Sequence, residues 1–193
     1  QNTCRTLMKG KGDVTTMEYQ ISAILLSQEE LAARVREIGE TIGRDYAGKE
    51  LVVVGILKGA IIFLSDLVRA VPADVNITLD FMAVSSYGDS TKTSGIVRIV
   101  KDLDGSIKDK DVLLVEDIVD TGLTLSYLVK MMRERQPKSV RVCALLDKEE
   151  RRKVHVDVDY RGFPIPDEFV VGYGLDYGGR WRHLPAIYTI EQK

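Results

Sequence analysis

Two short apolar runs constrain the fold of this chain more than any other feature. Leu51-Val52-Val53-Val54-Gly55-Ile56 and Val112-Leu113-Leu114-Val115 are rich in β-branched residues and contain no polar side chain. A strand with one wet face alternates apolar and polar residues, so an unbroken apolar run of this length reads as a strand buried on both faces. Helical patterns lie between such runs. Ser27 stands three residues before Glu30, a capping-box spacing, and Leu31, Val35, Ile38 and Ile42 follow at helical intervals, which predicts a helix over about 28–46. Residues 60–70 have helical length and composition, 75–84 and 96–100 read as strands, and a helix is expected over 123–135, ended near Pro137. Residues 140–146 give another apolar strand, with shorter strand-like runs near 154–158, 169–173 and 187–190. Strands alternating with helices predict an α/β fold, a parallel twisted sheet flanked by helices on both faces.

Length and charge close off other classes. A chain of 193 residues has room for one sizeable core. Its 27 Lys and Arg against 29 Asp and Glu leave a net charge of −2, which argues against nucleic-acid binding through a dominant basic field. No apolar run approaches the roughly 18–20 residues that cross a bilayer, so no membrane partner is expected. Cys4, Cys143, His155 and His183 are scattered, and cannot supply a CxxC pair, an HExxH helix or a disulfide framework; a reducing, cytoplasmic setting is the simplest reading. Cys143 falls inside a strand and reads as a small core residue, and neither histidine is assigned chemistry. Residues 1–16 are polar and without period, and read as a flexible leader, either a native tail or a remnant of expression; 17–193 reads as a single domain starting at Met17.

The polar clusters share one placement. Lys58-Gly59, the polar stretch 85–95, the acidic segment 116–122 and Lys148 each follow the carboxyl end of an expected strand. In a doubly wound sheet those ends open into one crevice where ligands bind. The 112–124 segment is the most informative: an apolar strand, then Glu116-Asp117-Ile118-Val119-Asp120-Thr121-Gly122-Leu123-Thr124, then a helix. A strand-turn-helix junction with glycine presents free backbone N–H groups at a positive helix end, which favours a phosphate. Three carboxylates would repel that phosphate unless they face something else, and adjacent acids suit a vicinal diol or a magnesium-bound sugar. The combination describes a ribose 5-phosphate. An Asp-rich turn of this kind is also an ordinary helix cap, but the buried strand before it and the other clusters on the same rim weigh against that alone. No G-x-x-x-x-G-K-[ST] or G-x-S-x-G occurs, and Gly172-Tyr173-Gly174-Leu175-Asp176-Tyr177 lacks the third glycine of a dinucleotide fingerprint.

The 112–124 segment resembles the signature of the type I phosphoribosyltransferases, and two acids, two apolar residues and then Asp-Thr-Gly resemble its 6-oxopurine branch. The resemblance extends through Leu57-Lys58-Gly59, Ser85-Ser86-Tyr87-Gly88, Leu146-Asp147-Lys148 and the run from Phe169 to Tyr177, covering about residues 20–190. It implies the fold of that family, with a small hood formed by terminal segments, and transfer of a 5-phosphoribosyl group from 5-phosphoribosyl 1-pyrophosphate to N9 of hypoxanthine or guanine. It further implies Mg²⁺ as cofactor and a homodimer or homotetramer.

By the same resemblance, Glu116 and Asp117 hold the ribose hydroxyls, while Asp120, Thr121, Gly122, Leu123 and Thr124 wrap the 5-phosphate. Asp120 also faces purine N7 as the catalytic acid–base group, because N7–H becomes acidic as the glycosidic bond forms. Leu57, Lys58 and Gly59 make the pyrophosphate loop, often with a cis peptide at Leu57-Lys58, and Arg182 pairs with pyrophosphate oxygens, with Arg180 near enough to compete. Lys148 donates to O6, which disfavours adenine. Phe169 stacks on the purine, Val170 reads its far edge, and Ile118 and Asp176 complete the base site; Glu116, Asp117 and Asp176 are the implied magnesium ligands. Ser86 and Tyr87 belong to a lid over 85–95. For Phe169 and Val170 the residues taken alone suggest plain core packing. The superfamily also includes regulators that bind DNA or RNA, but these need a basic face or an added domain; adenine and orotate transferases fit Asp120 and Lys148 poorly.

Overall fold

The computed structural model describes residues 19–86 and 97–193. The expected leader over 1–16 and the lid residue Tyr87 lie outside the described residues. Nine strands and three helices follow in the order β1 (Tyr19–Leu26), α1 (Gln28–Tyr46), β2 (Glu50–Leu57), α2 (Ile61–Ala70), β3 (Asn76–Ser86), β4 (Val97–Lys101), β5 (Asp111–Val119), α3 (Leu123–Glu134), β6 (Ser139–Asp147), β7 (Tyr160–Pro164), β8 (Val170–Val171) and β9 (Ile187–Gln192). A single 3₁₀ turn, Glu149–Arg151, follows β6.

The main sheet has the order β4-β3-β2-β5-β6-β7, parallel except for the antiparallel edge strand β4. Pleating divides each central strand between two cores. Leu51, Val53, Leu113, Val115, Cys143 and Leu145 face α1 and α2, whereas Val52, Val54, Ile56, Val112, Leu114, Val142 and Ala144 face α3. That two-sided burial is what the unbroken apolar runs imply. At about 25 cal/mol per Å² of apolar area it is also the main source of stability. The capping box of α1 forms as its spacing predicts: Ser27 Oγ accepts from Glu30 N, and Glu30 Oε2 accepts from Ser27 N at 2.8 Å. A second, antiparallel sheet, β1-β9-β8, joins the two terminal regions into the expected hood.

Three local expectations need correction. Residues 154–158 form no strand, because Lys153 N and Val154 N both donate to the Thr121 carbonyl and their segment is committed to the turn before α3. β5 does not stop at Val115: it loses its β2 partner there but stays paired to β6 through Val119, so Glu116, Asp117 and Ile118 lie on a strand extension. β1 and β7 are additional strands. β7 contains Gly162 and Pro164 and β1 is largely exposed, so neither presents a strand-like pattern. No helix among the described residues is long and apolar enough to cross a membrane.

Candidate active site

The carboxyl ends of β2, β5 and β6 converge, and most of the singled-out residues meet there. β2 ends in a cis peptide at Leu57-Lys58 and a turn over Lys58, Gly59 and Ala60 that leads into α2. Lys58 is exposed. On the neighbouring strand extension, the Asp117 carboxylate lies so close to Gly59 that a Cβ added at that glycine would overlap it. Ile118 N donates to Asp117 Oδ1 at 2.8 Å, which fixes the carboxylate from its own strand. Ile118 itself is half-buried and packs against the α1–α2 core.

Glu116 and Asp117 are adjacent carboxylates and, among the described residues, no cation pairs with either. Burial, and then the Asp117 charge, raise the Glu116 carboxyl well above the usual range. Such a pair is suited to hydroxyl donors or a cation that arrives with a ligand. Beyond it the chain turns through Asp120, Thr121 and Gly122 into α3. Gly122 takes φ +81° as the N-cap residue and has no side chain to cap the helix, so the N–H groups at the start of α3, apart from that of Leu123, remain available. Thr121 Oγ1 accepts weakly from Leu123 N at 3.5 Å, and Thr124 lies in the first turn. Asp120 is half-buried, with Arg151 Nε 3.0 Å from its Oδ1.

Lys148 follows β6 and is one of few buried charged residues, at 5% exposure. Its N–H donates to the Val119 carbonyl, and its Nζ donates to the Glu168 carbonyl at 2.6 Å, 5.8 Å from the Phe169 ring centre. Phe169 is 57% exposed, so core packing does not account for it; an aromatic face is open above a buried ammonium. Val170, by contrast, is buried in β8. The loop after β8 returns to the β2 turn, where Gly174 packs against the Gly59 carbonyl with no room for a Cβ.

Asp176 and Arg182 form an ion pair; Asp176 Oδ2 also accepts from Gly179 N at 2.6 Å, and Arg182 Nη1 donates to the Gly174 carbonyl at 2.6 Å. Arg180 instead stacks on Trp181 at 4.6 Å. The structure therefore brings Arg182, and not Arg180, to the segment that touches the β2 turn. Among the described residues no three acidic, His or Cys side chains form a preformed metal cage, and Asp176 does not join Glu116 and Asp117 in one. Ser86 is the last residue of β3, paired with Val97 of β4. His155 is exposed beside Asp157, His183 is exposed, and Cys143 is buried in β6 with its thiol pushed up by burial.

Two residues of this rim escape sequence reasoning. Arg151 and Asp167 stand between Asp120 and Lys148, Arg151 within a charged run that reads as solvated loop and Asp167 in a polar turn. Nothing in the linear order shows that they face each other.

Known proteins resemble this chain in sequence and in fold. A hypoxanthine-guanine phosphoribosyltransferase of Mycobacterium avium is 50% identical over 179 residues, 90% of this chain and 87% of its own. A crystal structure of a hypoxanthine-guanine phosphoribosyltransferase from Bacillus anthracis superposes with a TM-score of 0.84 at 43% identity, covering 90% of this chain and 99% of that one. A hypoxanthine phosphoribosyltransferase from Trypanosoma cruzi, in complex with the product IMP, gives 0.81 at 42% identity over 88% and 94%. The phosphoribosyl transferase domain matches residues 22–178, and with fold, rim and relatives in agreement this chain belongs to that family.

Proposed function

We propose that the chain is a purine salvage enzyme that transfers the 5-phosphoribosyl group of 5-phosphoribosyl 1-pyrophosphate to N9 of hypoxanthine or guanine, giving IMP or GMP and pyrophosphate. The observation that carries this reading is the uncompensated Glu116–Asp117 pair set between two anion-binding turns, the β2 turn at Gly59 and the turn into α3. A sugar with a phosphate at one end and a diphosphate at the other matches that order of groups.

The 5-phosphate takes the N–H groups of the turn from Thr121 to Thr124 and the positive end of α3, the weak Leu123 N contact to Thr121 Oγ1 giving way to it. Glu116 and Asp117 accept hydrogen bonds from the ribose hydroxyls, and the positive charge that builds at C1′ as the bond to diphosphate loosens favours the same carboxylates. The Lys58–Gly59 amides and Arg182 receive the leaving diphosphate. Lys148 donates to O6, whereas the 6-amino group of adenine is itself a donor and offers that ammonium no acceptor. Phe169 covers one face of the base while the Val170 main chain reads its far edge. Asp120 takes the proton from N7 as N9 bonds to C1′. Hard carboxylate oxygens at 116, 117 and 176 fit Mg²⁺, which usually takes one or two protein carboxylates and completes its shell with substrate phosphates and water, so no full cage is needed beforehand. When bound, the ion would neutralise charge on the diphosphate. An assembly of two or four copies in a reducing cytoplasm is consistent with this reading.

Steady-state assays with 5-phosphoribosyl 1-pyrophosphate, Mg²⁺ and each of hypoxanthine, guanine, xanthine and adenine test it. Turnover with hypoxanthine or guanine and none with adenine is expected; adenine turnover, or nucleic-acid retention on a filter at physiological salt without transferase activity, would overturn it.

A further inference from the structure

The Asp120 carboxylate is held by more than its own turn. Its Oδ1 is sealed from solvent and finds no hydrogen-bond partner of good geometry, but Arg151 Nε stands 3.0 Å away. The same guanidinium donates through Nη1 to Asp167 Oδ1 at 3.3 Å, and Lys148 Nζ lies 3.6 Å from that oxygen. Asp120, Arg151, Asp167 and Lys148 thus form a continuous chain of alternating charge. Its backbone frame is fixed independently. Arg151 N donates to the Lys148 carbonyl at 3.2 Å in the 3₁₀ turn, and the next residue, Arg152, donates Nε to the Asp120 carbonyl at 3.2 Å while its other end pairs with buried Asp147.

We propose that Arg151 is a positioning residue: it pins Asp120 by one carboxylate oxygen, leaves the other for the N7 proton, and couples that orientation through Asp167 to the Lys148 ammonium that meets O6. This rests on the reading of Asp120 and Lys148 given above. N7 and O6 lie on one edge of the fused ring, so the groups that meet them must keep a set spacing. A carboxylate free to rotate about Cβ–Cγ spends time with neither oxygen directed at N7, and a charge-assisted contact removes that freedom before the substrate arrives. A guanidinium suits the task because its fork reaches two carboxylates at once, which an ammonium on a flexible stem does less well.

Kinetics of the full chain with hypoxanthine test the proposal, comparing Arg151→Gln, Arg151→Lys and, as a control, Asp120→Asn. Arg151→Gln is expected to lower kcat about 10-fold, with KM for both substrates within about 2-fold of the parent, and Arg151→Lys to recover part of the loss. Asp120→Asn should lose at least as much. Unchanged kcat in Arg151→Gln beside a crippled Asp120→Asn overturns the pinning role and leaves the reading of Asp120 intact. Near-normal turnover in Asp120→Asn defeats that reading and the inference with it. A rise in KM for 5-phosphoribosyl 1-pyrophosphate at unchanged kcat would show that Arg151 binds the substrate's phosphate, and also overturns it. Arg151 is 37% exposed, so a folded Gln variant is expected; if circular dichroism shows it unfolded, the Lys variant carries the same test, wild-type kcat sinking the proposal and reduced kcat at unchanged KM supporting it.

Discussion

The two ends of the main sheet use the same residue types to opposite effect. At the amino ends of the strands, Asp45 accepts from Tyr160 Oη at 2.6 Å and Arg141 Nη1 at 2.7 Å, while Asp111 accepts from Ser139 Oγ and stands 3.3 Å from Lys138. The Tyr160 hydroxyl, then Arg141, hold Asp45 below the usual carboxylate range; burial pushes Asp111 up, but Ser139 and Lys138 outweigh it. At the carboxyl ends Glu116 and Asp117 face each other, and burial with mutual repulsion drives Glu116 the other way. The amino end pairs both of these carboxylates, whereas the carboxyl end pairs Asp120 with Arg151 and Asp176 with Arg182 but, among the described residues, leaves Glu116 and Asp117 without a cation, in reserve for a ligand. The difference teaches that an acidic cluster is informative when its charges are left uncompensated, not because it is acidic.

Substitutions can break this contrast. The largest effect is expected for Asp120→Ala, which should lower kcat by about 10²–10⁴ while KM for 5-phosphoribosyl 1-pyrophosphate changes little; turnover near the parent's would remove the proton-transfer role. Gly59→Ala comes next. The new methyl overlaps the Asp117 carboxylate and must displace it, so KM for 5-phosphoribosyl 1-pyrophosphate should rise about 10-fold with the melting temperature nearly unchanged, a loss of about 1.4 kcal/mol in binding. An unaltered KM would separate Asp117 from the sugar site.

Glu116→Gln sharpens the comparison through stability. Because the folded-state carboxyl is raised above its ordinary 4.5, the folded chain retains a proton that the unfolded chain releases, and stability falls as pH rises through that window. Glutamine carries no such charge. At neutral pH the unliganded variant should therefore melt about 2–4 °C higher while binding 5-phosphoribosyl 1-pyrophosphate more weakly; a lower melting temperature would mean that the pair supports the fold after all.

Tyr160→Phe is the counterpart at the opposite end and the smallest effect. Losing the hydroxyl should cost about 1 kcal/mol in urea denaturation and leave kcat unchanged. Asp45 has a lowered folded-state value, so its contribution is present above the ordinary 3.8 and is lost as pH falls through the lowered value; the Tyr160→Phe deficit should shrink below about pH 3.8. A deficit independent of pH would place the cost elsewhere than in the Asp45 contact.

Much of this molecule is legible in its linear order where the controlling interactions are local. The helix over 28–46 is set by Ser27, Glu30 and a helical apolar stripe, and the central strands by runs that leave no wet face. The run at 154–158 shows the limit: alternating valines suggest a strand, yet the N–H groups of Lys153 and Val154 are taken by the Thr121 carbonyl more than 30 residues earlier. Phe169 shows it from the other side, since an aromatic beside Val170 and Val171 suggests core, and only the packing of β8 leaves its ring outside.

By itself the sequence determined the α/β class, the two-sided burial of the central strands and the rim on which Lys58, Glu116, Asp117, Asp120 and Lys148 are gathered, because periodicity and strand ends are properties of neighbouring residues. The tertiary structure alone decided that Asp117 abuts Gly59, that Arg182 rather than Arg180 reaches Asp176, and that Arg151 bridges Asp120 to Asp167. Those contacts join residues 6 to 58 positions apart. Charge pairing over a few ångströms depends on where separate loops return to the same rim, and no local pattern records that.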